Sequence, residues 1–337
     1  MTTANGESGG KRLKKSWILK QGSMDVTFLF FVLILLGIGL IMLFSASYAY
    51  AETKFGDSYK FIIRQSGFAV AGVVLMLVIS RIDYHKYMKY SWLIYGVSIA
   101  LLILVYLLPS VEGYHRWIIL GPINFQPSEI AKFAIILLFS HMISINYNAM
   151  KTFKFSILFL GFLLGIVCAL VIFETHLSAT ILIFSIGVIL MIVGGIKRRY
   201  IIGGAVIAAG LLGIALGTGV VGYWSDRLTY WRDPWSDATG LGYQVIQSLM
   251  SIGSGGLLGR GIGQSMQKYL WVPEPHNDFI FAIVCEELGL IGAMFIVTLF
   301  CLLVWRGFTI AKNAEDKFGA LLTIGLVCQV GLQAMLN

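Results

Sequence analysis

Charge is scarce in this chain: Asp, Glu, Lys and Arg together make up 12% of its 337 residues, where soluble globular domains carry roughly a quarter. The shortage is chain-wide, so no second, soluble domain is expected. Cysteine offers no chemistry either. Cys168, Cys285, Cys301 and Cys328 all sit inside apolar runs and no two form a CxxC pair, so neither a disulfide framework nor a zinc site can be read. They read as small apolar packing residues. A phosphate loop is also missing: the glycine-rich stretch Gly253 to Gly263 has no GK[ST] and no strand pattern before it. Those glycines suit sharp bends or close backbone packing near a membrane surface.

What is present is apolar length. Hydrophobic residues make up 58% of the chain, and the mean hydropathy is +0.82. A spanning helix needs about 20 mostly apolar residues. That ruler yields nine candidates, at 27–50, 62–80, 91–108, 128–146, 155–173, 178–196, 200–222, 279–305 and 318–336. The first runs on well past a leader's apolar core of roughly 7–15 residues and is read as a spanning helix. The expected fold is therefore an all-α polytopic membrane protein, with a basic tail at 1–24 and a transmembrane domain at 25–337.

The net charge of +8 does not imply nucleic acid, because the basic residues form short clusters between apolar runs. Clusters at 81–90, 147–154, 197–199 and 306–317 join the tail on one side if each segment crosses once. By the positive-inside rule that side is cytoplasmic, with the N-terminus inside. Two outward loops remain, Pro109–Pro127 and a long one at 223–278, between helices 7 and 8. The long loop carries Trp224, Trp231, Trp235 and Trp271. An aromatic belt explains the tryptophans but not the length, which points to function. Nine helices leave the C-terminus outside, and the expectation is that a last helix is missing.

Several ionisable residues gather at the outer side. Asp278 falls where the N-cap of the eighth helix is expected, so it reads either as a cap or as a catalytic carboxylate. Glu286 and Glu287 follow about 12 Å deeper along that helix, where carboxylates mark a paired or functional site. Pro127, Ser128 and Glu129 open the fourth helix, yet Lys132, one turn in, opposes the helix dipole. It reads as a partner of Glu129 or as a cation held for an anion. Arg64, Arg116 and the pair Glu174 and His176 lie at the same level. Cations and carboxylates at one leaflet suit a phosphate-bearing substrate at the lipid interface.

Taken in order, these motifs resemble the SEDS family (shape, elongation, division, sporulation). They are Ser45-Ala-Ser47, Arg116-Trp-Ile-Ile-Leu-Gly121, Phe125-Gln-Pro-Ser-Glu-Ile-Ala-Lys132, Ile252-Gly-Ser-Gly-Gly256, Gly261-Ile-Gly-Gln-Ser-Met-Gln-Lys268, Pro273-Glu-Pro-His-Asn-Asp278 and Glu286-Glu-Leu-Gly289. The form at 263–268 is more similar to the division branch, FtsW, than to RodA. The resemblance implies ten helices and a peptidoglycan glycosyltransferase of the bacterial cytoplasmic (inner) membrane, acting in division or septum formation. It would polymerise lipid II outside the membrane, with a class B penicillin-binding protein and other division proteins as partners.

The resemblance also implies site roles. Asp278 would be the catalytic base, in a motif that reads His276-Asn-Asp278 where the family has His-Thr-Asp. Arg64, Arg116 and Lys132 would neutralise the pyrophosphate, with Glu129, Lys268, His276 and Glu287 also binding substrate. A divalent cation, magnesium or manganese, rests on the resemblance alone, since no metal motif is visible. The family's Gln-Pro-Asp-Leu-Gly-Thr region reads Glu174-Thr-His-Leu-Ser-Ala-Thr180 here, so no role carries over to Glu174 or His176. The alternatives are a lipid II transporter and a division scaffold without activity.

Overall fold

The computed structural model describes residues 24–109, 115–120, 123–174, 176–204, 229, 231–240, 242–268 and 278–336. Its helices are α1 (Val26–Phe55), α2 (Lys60–Ile79), α3 (His85–Leu107), α4 (Pro127–Ile145), α5 (Gly161–Phe173), α6 (Leu177–Val193), α7 (Tyr243–Gly255), α8 (Ile280–Lys312) and α9 (Lys317–Leu336). A π-helical turn, Lys154–Leu160, leads directly into α5. Among the described residues seven helical stretches are long and apolar enough to cross a membrane: α1 to α4, Lys154–Phe173, α8 and α9. Helix α6 is a shorter apolar eighth. The expected span at 200–222 lies outside the described residues beyond 204.

Local chemistry sets the helix ends. Asp25 caps α1 by accepting from the Phe28 backbone N–H at 2.9 Å, and Gly56 ends it with φ 69°, the left-handed cap glycine tolerates. Pro127 occupies the first turn of α4, where its missing N–H costs nothing. Helix α8 is longer than its apolar run suggested, continuing to Lys312. Between α3 and α4 lies an unexpected antiparallel hairpin, β1 (Ile118–Leu120) with β2 (Ile123–Phe125). Ile118 pairs with Phe125, so the same register carries Arg116 to the mouth of α4.

The helices pack as two groups. Helix α4 is the axis of the larger one, touching α3, α6 and α9, with Ala134 through Phe139 wholly buried. Tyr95 on α3 donates to the Leu163 carbonyl at 2.8 Å, tying the first turn of α5 to the core. In the smaller group α1 and α7 pack on α8, around Met42, Val284 and Ile296. Helices α8 and α9 join the two groups. Helix α2 buries none of its residues. In water that would be unstable; in lipid, where only backbone groups must be satisfied internally, an apolar outer helix is expected. The protein is a multi-pass membrane protein.

Candidate active site

At the end of the bundle where α4 begins, four segments converge on His176. Gln126 Nε2 lies 3.2 Å from His176 Nδ1. Arg116 Nε donates to the Glu174 carbonyl at 3.1 Å. Lys132 Nζ donates to Glu129 at 2.7 Å and to Gln333 Oε1 at 2.9 Å. Glu174 and His176 sit beyond the spanning helices, in the turn from α5 to α6. Burial pushes the Glu174 carboxyl up to about 8, with Arg116 pulling the other way. Burial pushes His176 down to about 4, reinforced by Arg116 and Lys132 and opposed by Glu129 and Asp278. One imidazole thus feels two cations and two carboxylates from three parts of the chain.

Asp278 is exposed, just ahead of α8. The expectation that it occupies the N-cap is corrected. The cap position falls on Phe279, and no side chain makes a capping bond there. Nor does Asp278 hydrogen-bond among the described residues. A carboxylate spared from capping keeps its lone pairs for something else.

A second polar cluster lies deeper. Glu286 and Glu287 are buried on α8, at 0% and 1% exposed. Glu287 accepts from Ser45 Oγ at 2.7 Å and from Lys268 Nζ at 3.2 Å. Glu286 accepts from Ser251, from the Ser265 hydroxyl and from the Met266 backbone N–H, and Arg260 approaches it at 3.7 Å. Buried charges survive only when paired and hydrogen-bonded in this way.

The glycines explain how a loop reaches that depth. The backbone N–H groups of Arg260 and Gly261 donate to the carbonyls of Glu286 and Glu287, while Leu290 and Ile291 donate to Gly256 and Leu257. Helix α8 breaks at Gly289, φ 67° and ψ −172°. A Cβ on Gly289 would lie 2.3 Å from Gly259 N, so both backbones need glycine where they cross. From the stretch expected to form a long outward loop, α7 and residues 256–268 fold onto α8 and α1. From Asp25 to Ser45 along α1 is about 30 Å, the hydrocarbon thickness. Asp25 pairs with Arg306 at 2.8 Å at one end of that length, and Ser45 meets Glu287 at the other.

The FtsW/RodA/SpoVE family model, described as a cell cycle protein, matches residues 26–337. The chain belongs to the SEDS family. This SEDS protein is 37% identical to stage V sporulation protein E of Bacillus subtilis, across 94% of the chain and 87% of that relative. It is also 37% identical to the probable peptidoglycan glycosyltransferase FtsW of Nitrosomonas europaea, across 94% and 83%. Among solved structures, a chain from a peptidoglycan synthase complex that coordinates polymerization and crosslinking superposes with TM-score 0.76 at 24% identity, covering 93% of this chain and 85% of that one. Thermus thermophilus RodA superposes at 0.66 with 21% identity, covering 95% and 84%. These two likenesses show the fold.

Within the SEDS fold the expected site residues divide. Arg116, Glu129 and Lys132 share one cluster, within electrostatic reach of Asp278 through His176. Lys268 and Glu287 form the buried pair instead, sealed from the surface. Arg64 sits on α2, which packs against α1, with its guanidinium 5.8 Å from the Phe68 ring. His276 lies outside the described residues. Sequence reading gave no role to Gln126, Gln333 or His176. The amides carry no charge to mark them, while His176 was visible as an ionisable residue at the right level.

Proposed function

We infer that this SEDS chain is a peptidoglycan glycosyltransferase that polymerises lipid II at the outer face of the bacterial cytoplasmic membrane. Its N-terminus and basic connections lie in the cytoplasm, and a class B penicillin-binding protein and the division machinery are its partners. One observation carries the reading: Arg116 and Lys132 are gathered around His176 beside an exposed Asp278 that bonds to nothing among the described residues.

In the reaction we propose, the 4-hydroxyl of an acceptor GlcNAc attacks C1 of the donor MurNAc with inversion. The O4–C1 bond forms as the bond from C1 to the pyrophosphate oxygen breaks, and the hydroxyl proton passes to the Asp278 carboxylate. Such a base is typically worth about 10²–10⁴-fold. Charge grows on the departing undecaprenyl pyrophosphate, and Lys132 and Arg116 are placed to stabilise it. An ammonium has three donors; both Glu129 oxygens and Gln333 lie within reach of Lys132, so an arriving phosphate oxygen would take the place of one of these acceptors. Arg64 we keep as an outer cation for the same pyrophosphate, and His276 as a neighbour of the base.

Among the described residues no three His, Cys, Asp or Glu side chains converge as a metal site. We keep the magnesium or manganese ion as a companion of the pyrophosphate and route no step through it. A transporter would need its buried charges facing a continuous polar path. Glu286 and Glu287 are instead consumed by their partners, and the cavity of about 210 Å³ beside them is lined by Ile38, Met42, Ile262, Leu288 and other apolar groups.

Reconstitution with the penicillin-binding partner and labelled lipid II tests the reading. Wild type is expected to form glycan strands and Asp278→Asn to form none. Polymer from the Asn variant would remove Asp278 as the base, and no polymer from wild type would favour the scaffold.

A further inference from the structure

Lys132 is 2% exposed and sits one turn into α4, where the dipole of its own helix opposes a cation. Something must hold it there. Glu129 supplies its carboxylate, from the same helix. The second partner is Gln333 on α9, a residue 201 positions away in sequence. We propose that Gln333 is a positioning residue for the pyrophosphate-binding ammonium of Lys132, a neutral clamp that aims it without cancelling its charge. The inference rests on the proposed role of Lys132.

Three features support the assignment. An ammonium only donates, so the amide must present its oxygen to Lys132. Gln333 lies on α9, which packs directly against α4. The two helices are also locked at close range, because a Cβ on Gly325 would lie 2.5 Å from Ile136 Cγ2. The amide therefore arrives from a rigid neighbour. A carboxylate at 333 would reach equally well but would add a second negative charge beside an ammonium that already faces Glu129. Its attraction for a pyrophosphate would fall. A glutamine keeps the hydrogen bond and spares the charge.

The experiment compares KM and kcat for lipid II in the reconstituted complex for wild type, Gln333→Met, Gln333→Glu and the exchange variant Glu129→Gln with Gln333→Glu. Losing a hydrogen bond to a charged group is expected to raise KM about tenfold in Gln333→Met, with kcat changed less. Gln333→Glu is expected to raise KM at least as much. The exchange variant, which restores one carboxylate and one amide around the ammonium, is expected to return KM to within about twofold of wild type. A residue that merely packs would give no such rescue. Wild-type KM in both single variants overturns the clamp, as does an exchange variant no better than Gln333→Glu. Gln333→Met, close in volume and uncharged, covers the case in which the added carboxylate prevents folding. Lys132→Met, measured alongside, separates the two ideas: unchanged KM there defeats the pyrophosphate role itself, whereas raised KM there with normal Gln333 variants defeats only the clamp.

Discussion

At the scale of single residues the site depends on which side chains are used up and which are spared. Asp278 caps nothing and bonds to nothing among the described residues, so Asp278→Asn should abolish polymerisation while leaving the melting temperature unchanged; a large loss of stability would show a structural role. Glu174 and His176 give a pH signature. Glu174 is raised to about 8 from 4.5, so its contribution to stability is present below 4.5 and lost as pH rises through about 8. His176 is lowered to about 4 from 6.5, so its contribution is present above 6.5 and lost as pH falls through about 4. Glu174→Gln mimics the protonated acid. Its melting temperature relative to wild type should therefore climb between about pH 5 and about pH 8.5. A constant offset across that range would contradict a buried carboxyl.

At the scale of elements, the crossing of the glycine loop with α8 is the least forgiving place in the fold. Gly289 has a backbone conformation that residues with a Cβ avoid, at a cost of about 1–3 kcal/mol before any clash is counted. Gly289→Ala should lower the melting temperature markedly, and a neutral result would mean the loop leaves α8 readily. The pair Lys268 and Glu287 below it makes a different prediction. Removing one buried partner costs about 3–5 kcal/mol, whereas replacing both with apolar residues is often neutral. Lys268→Met should destabilise, and adding Glu287→Met should recover most of the loss in both stability and activity. If Lys268 instead touched the pyrophosphate, stability would return without activity.

At the scale of the whole molecule, two polar pairs bracket the smaller helix group. Asp25 with Arg306 lies at one end and Ser45 with Glu287 at the other, about 30 Å apart along α1. Both are held by several bonds, so the protein does not stretch or shorten easily to suit its membrane. Polymerisation in bilayers of graded chain length should peak where the hydrocarbon is about 30 Å thick and fall on either side. A flat profile would show that the two pairs move independently.

The apolar runs determined most of the architecture by themselves, because a helix that must satisfy its backbone in lipid needs length and little else. The positions of α1 to α6, α8 and α9 were legible for that reason, as were Asp278 and Lys132, whose charges stand out in such a chain. Helix pairing left no comparable mark: lipid is as apolar as a protein core, so sequence pattern does not say which faces meet. Only the tertiary structure decided that Gln333 returns from α9 to Lys132 and that His176 stands among four charges. It also decided that a loop read as outward folds back through Gly259 and Gly289 to bury Glu286 and Glu287. Those contacts join residues far apart in the chain, and the physics that selects them is the satisfaction of buried polar groups, which acts only once the helices have met.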